Sequence, residues 1–248
     1  MKELSEADMQ VLFKKKMYER VKVLRQELLK LRPQRICNLI NEQAYSTKTF
    51  INIPCKEEDI INKEKILISL ENNKNIKAIC VKKGNVTENV VQVLISLVGR
   101  FPSLMEIAFK DVTISKPSLQ LITSALSKVK MQKLSFRNIH VDSQTDFEHI
   151  GFIITQTKPQ CVILKNLGMN DYGLLYIADH IGNAEGLKEL NLSYNKYTKV
   201  GLKCIEGTLK DNESLKILKL KQEETDNSYY EFIRGLRTVL KGVEIEII

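Results

Sequence analysis

The 248-residue sequence has no tryptophan, only three histidines and five prolines, and an aromatic content of 6%. Readers of nucleic acid by base stacking join concentrated basic charge to aromatic platforms, so this scarcity disfavours nucleic acid as a partner. The 11 glycines are dispersed, with neither a P-loop nor a GxGxxG string, which removes the usual phosphate-cradling loops. No cofactor is expected. His140, His149 and His180 have no serine or cysteine assignable as a nucleophile partner, and none stands at metal-ligand spacing from a cysteine, so neither catalysis nor a metal site is expected. No apolar run approaches the roughly 20 residues that cross a bilayer. The opening MKELSEADMQ carries acids where a signal peptide carries an apolar stretch. The five cysteines (Cys37, Cys55, Cys80, Cys161, Cys204) are odd in number and scattered, without a C-x-x-C pair. They read as free thiols in a reducing compartment, which makes the cytoplasm the expected location.

What is present suffices for a substantial core: 43% of residues are apolar and 27% charged. The 38 Lys and Arg against 30 Asp and Glu give a net charge of +8, which favours an acidic partner surface through long-range attraction.

The sequence organises itself around a repeat. Leu187-Lys188-Glu189-Leu190-Asn191-Leu192-Ser193-Tyr194-Asn195 is a complete L-x-x-L-x-L-x-x-N string. Apolar-x-apolar pairs recur at Ile51/Ile53, Ile79/Val81, Ile107/Phe109, Leu134/Phe136, Val162/Leu164, Leu190/Leu192, Leu218/Leu220 and Ile245/Ile247, with steps of 28, 28, 27, 28, 28, 28 and 27 residues. Eight residues after each first apolar position stands a residue suited to cap a helix: Asp59, Thr87, Ser115, Asp142, Asn170, Thr198 and Asp226. Helical apolar patterns follow, such as Leu119, Ile122 and Leu126, or Leu202, Ile205 and Leu209.

A strand-plus-helix unit of this size cannot bury its own apolar face, so neighbours must stack. The expected fold is therefore an α/β solenoid over residues 46–248, about seven repeats of period 28. It would carry a curved parallel sheet on the concave side and helices on the convex side. Residues 1–45 form a separate segment. There Ser5-Glu6-Ala7-Asp8 reads as a capping box, Met17, Val21, Leu24, Leu28 and Leu31 follow at alternating spacings of four and three, and Arg32-Pro33 ends the helix. The plainer reading is an N-terminal helical cap on the first repeat; the sharper one is a partner-binding helix. Residues 1–32 hold nine basic and five acidic residues, which also fits contact with a membrane surface, although a solvated face explains it more simply.

The period and the L-x-x-L-x-L-x-x-N string resemble the ribonuclease-inhibitor type of leucine-rich repeat. Within that class, LKELNLSYNKYTKVGLKCIEGTLKDNESLKILKLKQE and NIPCKEEDIINKEKILISLENNKNIKAICVKKG look like the repeats of tropomodulin and leiomodin. That resemblance implies a protein-binding scaffold, with an actin-related, cytoskeletal partner as the specific expectation. The Ran GTPase-activating protein family is built from the same type of repeat, so regulation of a small GTPase is the alternative. The motif's ninth position is Asn only at Asn195; the others are Lys56, Gly84, Val112, Ile139, Leu167 and Glu223, so an unbroken asparagine ladder is not expected.

Strand residues between the apolar positions should face the concave side. One column reads Lys82, Lys110, Arg137, Lys165, Ser193 and Lys221, a basic ridge about 25 Å long at ordinary strand spacing. The adjacent column, Cys80, Ala108, Ser135, Ile163, Asn191 and Lys219, is small or neutral through its first five members. Tyr194 and Tyr197, with Lys196 and Lys199, form an aromatic-basic cluster on a predicted loop, and aromatic anchors commonly carry interface energy. Tyr197 also occupies a position that is apolar in neighbouring repeats, which suits a core residue equally. The expected partner-binding residues are Lys82, Lys110, Arg137, Lys165, Lys221, Tyr194 and Tyr197.

Overall fold

The eight apolar-x-apolar pairs become neighbouring rungs of one sheet. The structure, a computed structural model, describes residues 50–55, 75–210, 212–221 and 227–248. The expected N-terminal helix, Cys37, Lys56, Glu223 and the capping positions Asp59 and Asp226 lie outside the described residues.

Among the described residues nine strands make an α/β fold with an open, wholly parallel sheet: β1 (Phe50–Pro54), β2 (Ala78–Val86), β3 (Glu106–Ile114), β4 (Lys133–Arg137), β5 (His140–Val141), β6 (Cys161–Lys165), β7 (Glu189–Asn191), β8 (Ile217–Leu220) and β9 (Glu244–Ile247). Strand order follows chain order except that the short β5 continues the pairing of β3. Ile51, Ile79, Ile107, Leu134, Val162, Leu190, Leu218 and Ile245 stand opposite one another in succession, so the sequence ladder and the hydrogen-bond register coincide. Parallel pairing requires a crossover between strands, and the described crossovers contain the helices α1 (Glu88–Arg100), α2 (Lys116–Leu126), α3 (Phe147–Thr157), α4 (Asp171–Gly182), α5 (Lys199–Leu209) and α6 (Asn227–Val239).

The core lies between these helices and one face of the sheet. Val91, Leu94 and Leu97 of α1, Leu119, Ile122 and Leu126 of α2, and Leu202, Ile205 and Leu209 of α5 join the Ile79 and Val81 columns in a single apolar cluster. Each such side chain contributes about 1.5–3 kcal/mol by leaving water. Phe109 and Phe136, adjacent rungs, stack with ring centroids 5.1 Å apart. Strand residues that point the other way, such as Cys80 and Ile163, take no part in this cluster. Each unit pairs and packs chiefly with the units before and after it.

The capping ladder is only partly realised. Asn170 accepts from the backbone N–H of Tyr172 and Gly173, and Thr198 from that of Val200. Thr87 and Ser115 occupy the capping position without a side-chain capping bond; the Ser115 hydroxyl instead bonds that of Ser118. Asp142 is displaced from the role. Ser143 caps a 3-10 turn ahead of α3, while Asp142 reaches back to the Lys116 N–H of the preceding unit at 3.4 Å. A short polar residue at a fixed offset can serve its own helix, a neighbouring unit or a local turn, and periodicity alone does not choose among these.

Candidate partner-binding face

The side of the sheet away from the core cluster has three columns. The basic one is real in register: Lys82 stands opposite Lys110, Lys110 opposite Arg137, and Arg137 opposite Lys165. Lys110 is exposed and Lys82, Arg137, Lys165 and Lys221 are partly so. Among the described residues none of these five cations forms an ion pair.

Three acids of this face, Glu106, Glu189 and Glu246, are ion-paired, whereas Glu244 at the last strand is exposed and forms no ion pair among the described residues. Lys133 pairs with Glu106 at 2.9 Å, and Lys219 holds both Glu189 and Glu246 at 3.2 Å. The Glu189 and Glu246 hydrogen bonds raise the Lys219 ammonium above its usual range. The ion pairs thus involve the middle column and the one beyond it, while the basic column is left without ion pairs. That asymmetry is what an acidic partner would meet.

The middle column is the small-residue one, whose members are in register from Cys80 through Ala108, Ser135, Ile163 and Asn191 to Lys219. Cys80, Ser135, Ile163 and Asn191 are buried although they lie outside the main core. Longer neighbours shield them, as when Arg137 Nε donates to Ser135 Oγ at 3.0 Å. The column is thus short-chained at Cys80, Ala108 and Ser135 and longer from Ile163 onward. Burial raises the thiols of this face: Cys80, in this column, is pushed up by desolvation, partly offset by Lys82, Lys110 and Arg137, and Cys161, in the ion-paired column, is raised to about 11 by burial and by Glu189. Neither suits a thiolate nucleophile.

The two tyrosines separate. Tyr194 sits where Ser193 interrupts the basic column, with Lys165 Nζ 4.6 Å and Lys221 Nζ 5.0 Å from its ring centroid. Ser193 is fully buried, its N–H and hydroxyl both donating to Asn191 Oδ1. An aromatic ring attracts ammonium groups, so Tyr194 bridges the gap rather than standing apart as an independent anchor. Its φ of 61° lies in the left-handed region, which costs a bulky residue free energy.

Tyr197 is a correction. It is 2% exposed and belongs to the core cluster, so its ring is not available to a partner. Burial and the neighbouring Tyr229 push its phenol far above the usual range, the Lys221 backbone drawing it partly back. The signal was legible: Val86, Ile114, Val141, Met169 and Tyr197 form a ladder of buried residues at 27- or 28-residue steps.

A second periodic feature escaped the sequence reading. Lys83, Asp111, Asn138, Asn166 and Tyr194, each directly after a ridge position or its equivalent, all have positive φ. Asn138 Nδ2 donates to Asp111 Oδ1 at 2.8 Å and Asn166 Nδ2 to Asn138 Oδ1 at 3.0 Å, linking three units side by side. Asp and Asn tolerate this conformation best, so the run Asp111, Asn138 and Asn166 was the available clue. These residues, with His140 and Lys196, line an open groove of about 460 Å³ past the strand ends.

The histidines do not converge. His180 Nδ1 lies 3.0 Å from Thr155 Oγ1 and its ring meets Phe152 edge-on at 4.7 Å, joining α3 to α4, whereas His140 lines the groove. Among the described residues no group of three or more His, Cys, Asp or Glu could hold a metal ion, and no helix is long and apolar enough to cross a membrane. Comparison of the sequence with protein-family models and with curated proteins finds no match in either.

Proposed function

We propose that the chain is a leucine-rich-repeat solenoid of the ribonuclease-inhibitor type, acting as a non-catalytic protein-interaction module in the cytoplasm. It recognises an acidic protein surface through the helix-free face of its sheet. The observation that carries this reading is the column Lys82, Lys110, Arg137 and Lys165: in strand register, solvent-accessible, and unpaired while nearby carboxylates are paired. Like charges at neighbouring-strand spacing repel, so the column is better matched by an anionic strip than by solvent. Tyr194 extends it by joining Lys165 to Lys221. The period of the strand ladder and the L-x-x-L-x-L-x-x-N string support the repeat class. A cytoskeletal, actin-related partner is the specific candidate, resting on the tropomodulin-like strings alone.

The test is capture of a partner from cytoplasmic extract by wild type and by the triple variant Lys110→Glu, Arg137→Glu, Lys165→Glu, at low and at high salt. The reading expects a partner that is lost by the variant and weakened by salt, with helical circular dichroism unchanged. A partner held equally by both proteins at both salt levels would remove the basic column from the function.

A further inference from the structure

Resting on the acidic-surface reading, the geometry points to the form of the partner: we infer that the face takes an acidic α-helix laid along the basic column, across the strands, rather than an extended acidic peptide. The inference starts from spacing. Lys82, Lys110, Arg137 and Lys165 lie on four consecutive strands of the sheet, so the column advances by about 4.8 Å per strand, roughly 14 Å over three steps.

An anionic stripe on a helix, with residues alternately three and four apart, advances by about 5.3 Å per step, or about 16 Å over three. The mismatch of about 2 Å is easily taken up by a lysine stem. An extended chain shows one face at every second residue, about 6.7 Å per step and about 20 Å over three, so its mismatch of about 6 Å loses register within two strands.

The width agrees independently. The basic column and the ion-paired column containing Glu106 and Lys133 are four residues apart along each strand, about 13 Å. A helix with its side chains is about 10–12 Å across. The floor beneath it would be Cys80, Ala108 and Ser135, short enough for the helix to approach, with the bulkier, apolar Ile163 at the far end of the stretch. Arg137, now resting on Ser135 Oγ, would swing outward to a partner carboxylate, exchanging a neutral acceptor for a charged one. Glu106 is matched one to one by Lys133, whereas Lys219 is shared by Glu189 and Glu246, so the uncompensated negative charge of the face lies on β7 and β9, past the four strands β2, β3, β4 and β6 that the helix would cross.

The probes are two fluorescent peptides of equal length and charge, each about 20 residues, enough for about 30 Å of helix. One is alanine-based with glutamates at alternating three and four spacing; the other has interior prolines that forbid the helix. Fluorescence anisotropy at low salt should show the helical peptide binding about tenfold more tightly, as expected if poor register forfeits two or three exposed charge pairs. Lys110→Glu with Arg137→Glu should abolish that preference while circular dichroism stays native. Equal binding, or tighter binding of the proline peptide, overturns the helix inference and leaves recognition of acidic surfaces standing. Failure of both peptides to bind overturns the recognition reading itself.

Discussion

The amino-terminal and carboxy-terminal units share a period but close their strand-to-helix turns differently. In β2 and β3 the strands run nine residues, and backbone pairing continues through the turn as Gly84 opposite Val112, Asn85 opposite Thr113 and Val86 opposite Ile114. β5 extends this by pairing His140 and Val141 with the end of β3. In β7 the regular strand is three residues long; backbone bonds such as Leu192 N–H to the Lys219 carbonyl and Tyr194 N–H to the Lys221 carbonyl continue past it, and buried side chains add to them through the turn. Buried Asn195 accepts from the N–H groups of Leu167 and Met169 and donates to the carbonyls of Leu164 and Leu192. Asp171 likewise accepts from the backbone of Thr198 and Gly201 in the next unit. Both solutions satisfy buried backbone groups, which is obligatory; the amino-terminal units do it with long strands and the carboxy-terminal units with backbone bonds supplemented by carboxamides and carboxylates.

The largest expected effect lies in that contrast. Asn195→Ala strands up to four buried backbone partners and should cost about 4 kcal/mol in urea unfolding, whereas Val112→Ala, at the equivalent position where pairing is by backbone, should cost about 2 kcal/mol by lost burial alone. Equal losses would erase the distinction. Next comes Gly84, whose φ of 132° and whose hypothetical Cβ, 2.9 Å from the Cys55 carbonyl oxygen, both oppose a side chain. Gly84→Ala should destabilise by about 2–3 kcal/mol, against about 1 kcal/mol for Gly168→Ala, which has positive φ but open space. Thermal unfolding of the two variants measures the difference directly. The smallest effect concerns the caps. Asn170→Ala should cost about 1 kcal/mol, while Thr87→Ala, which removes no capping bond, should stay within about 0.5 kcal/mol. A Thr87 loss as large as that at Asn170 would mean the amino-terminal helices are capped as the carboxy-terminal ones are.

The strand ladder was legible because burial on one face leaves a rigid period: every first apolar residue from Ile51 to Ile245 falls on its rung. The basic column was legible for the same reason, since side-chain direction alternates along a strand. The ionic state of the face was not, because whether Lys110 of that column or Lys219 of the adjacent one is paired depends on neighbours about a full period away. Tyr197 and Asp142 show the two remaining failures. A tyrosine reads as a surface anchor or as core according to which ladder is given weight, and an aspartate near a helix start has several backbone donors within reach. Asn195 illustrates the reverse: its motif position was noted for lacking companions, yet as a single residue it carries four bonds.

The pairing of each unit chiefly with its neighbours fixes the scale on which the chain must search as it folds. Contacts between successive rungs close loops of 27 or 28 residues whichever rung is considered. The length-dependent entropy of closing such a loop is about 3 kcal/mol, incurred in equal instalments rather than in one long-range step. Folding can therefore begin at any well-formed pair of units and propagate outward, and a defect such as a lost Asn195 network slows or frays its own neighbourhood before it threatens the whole.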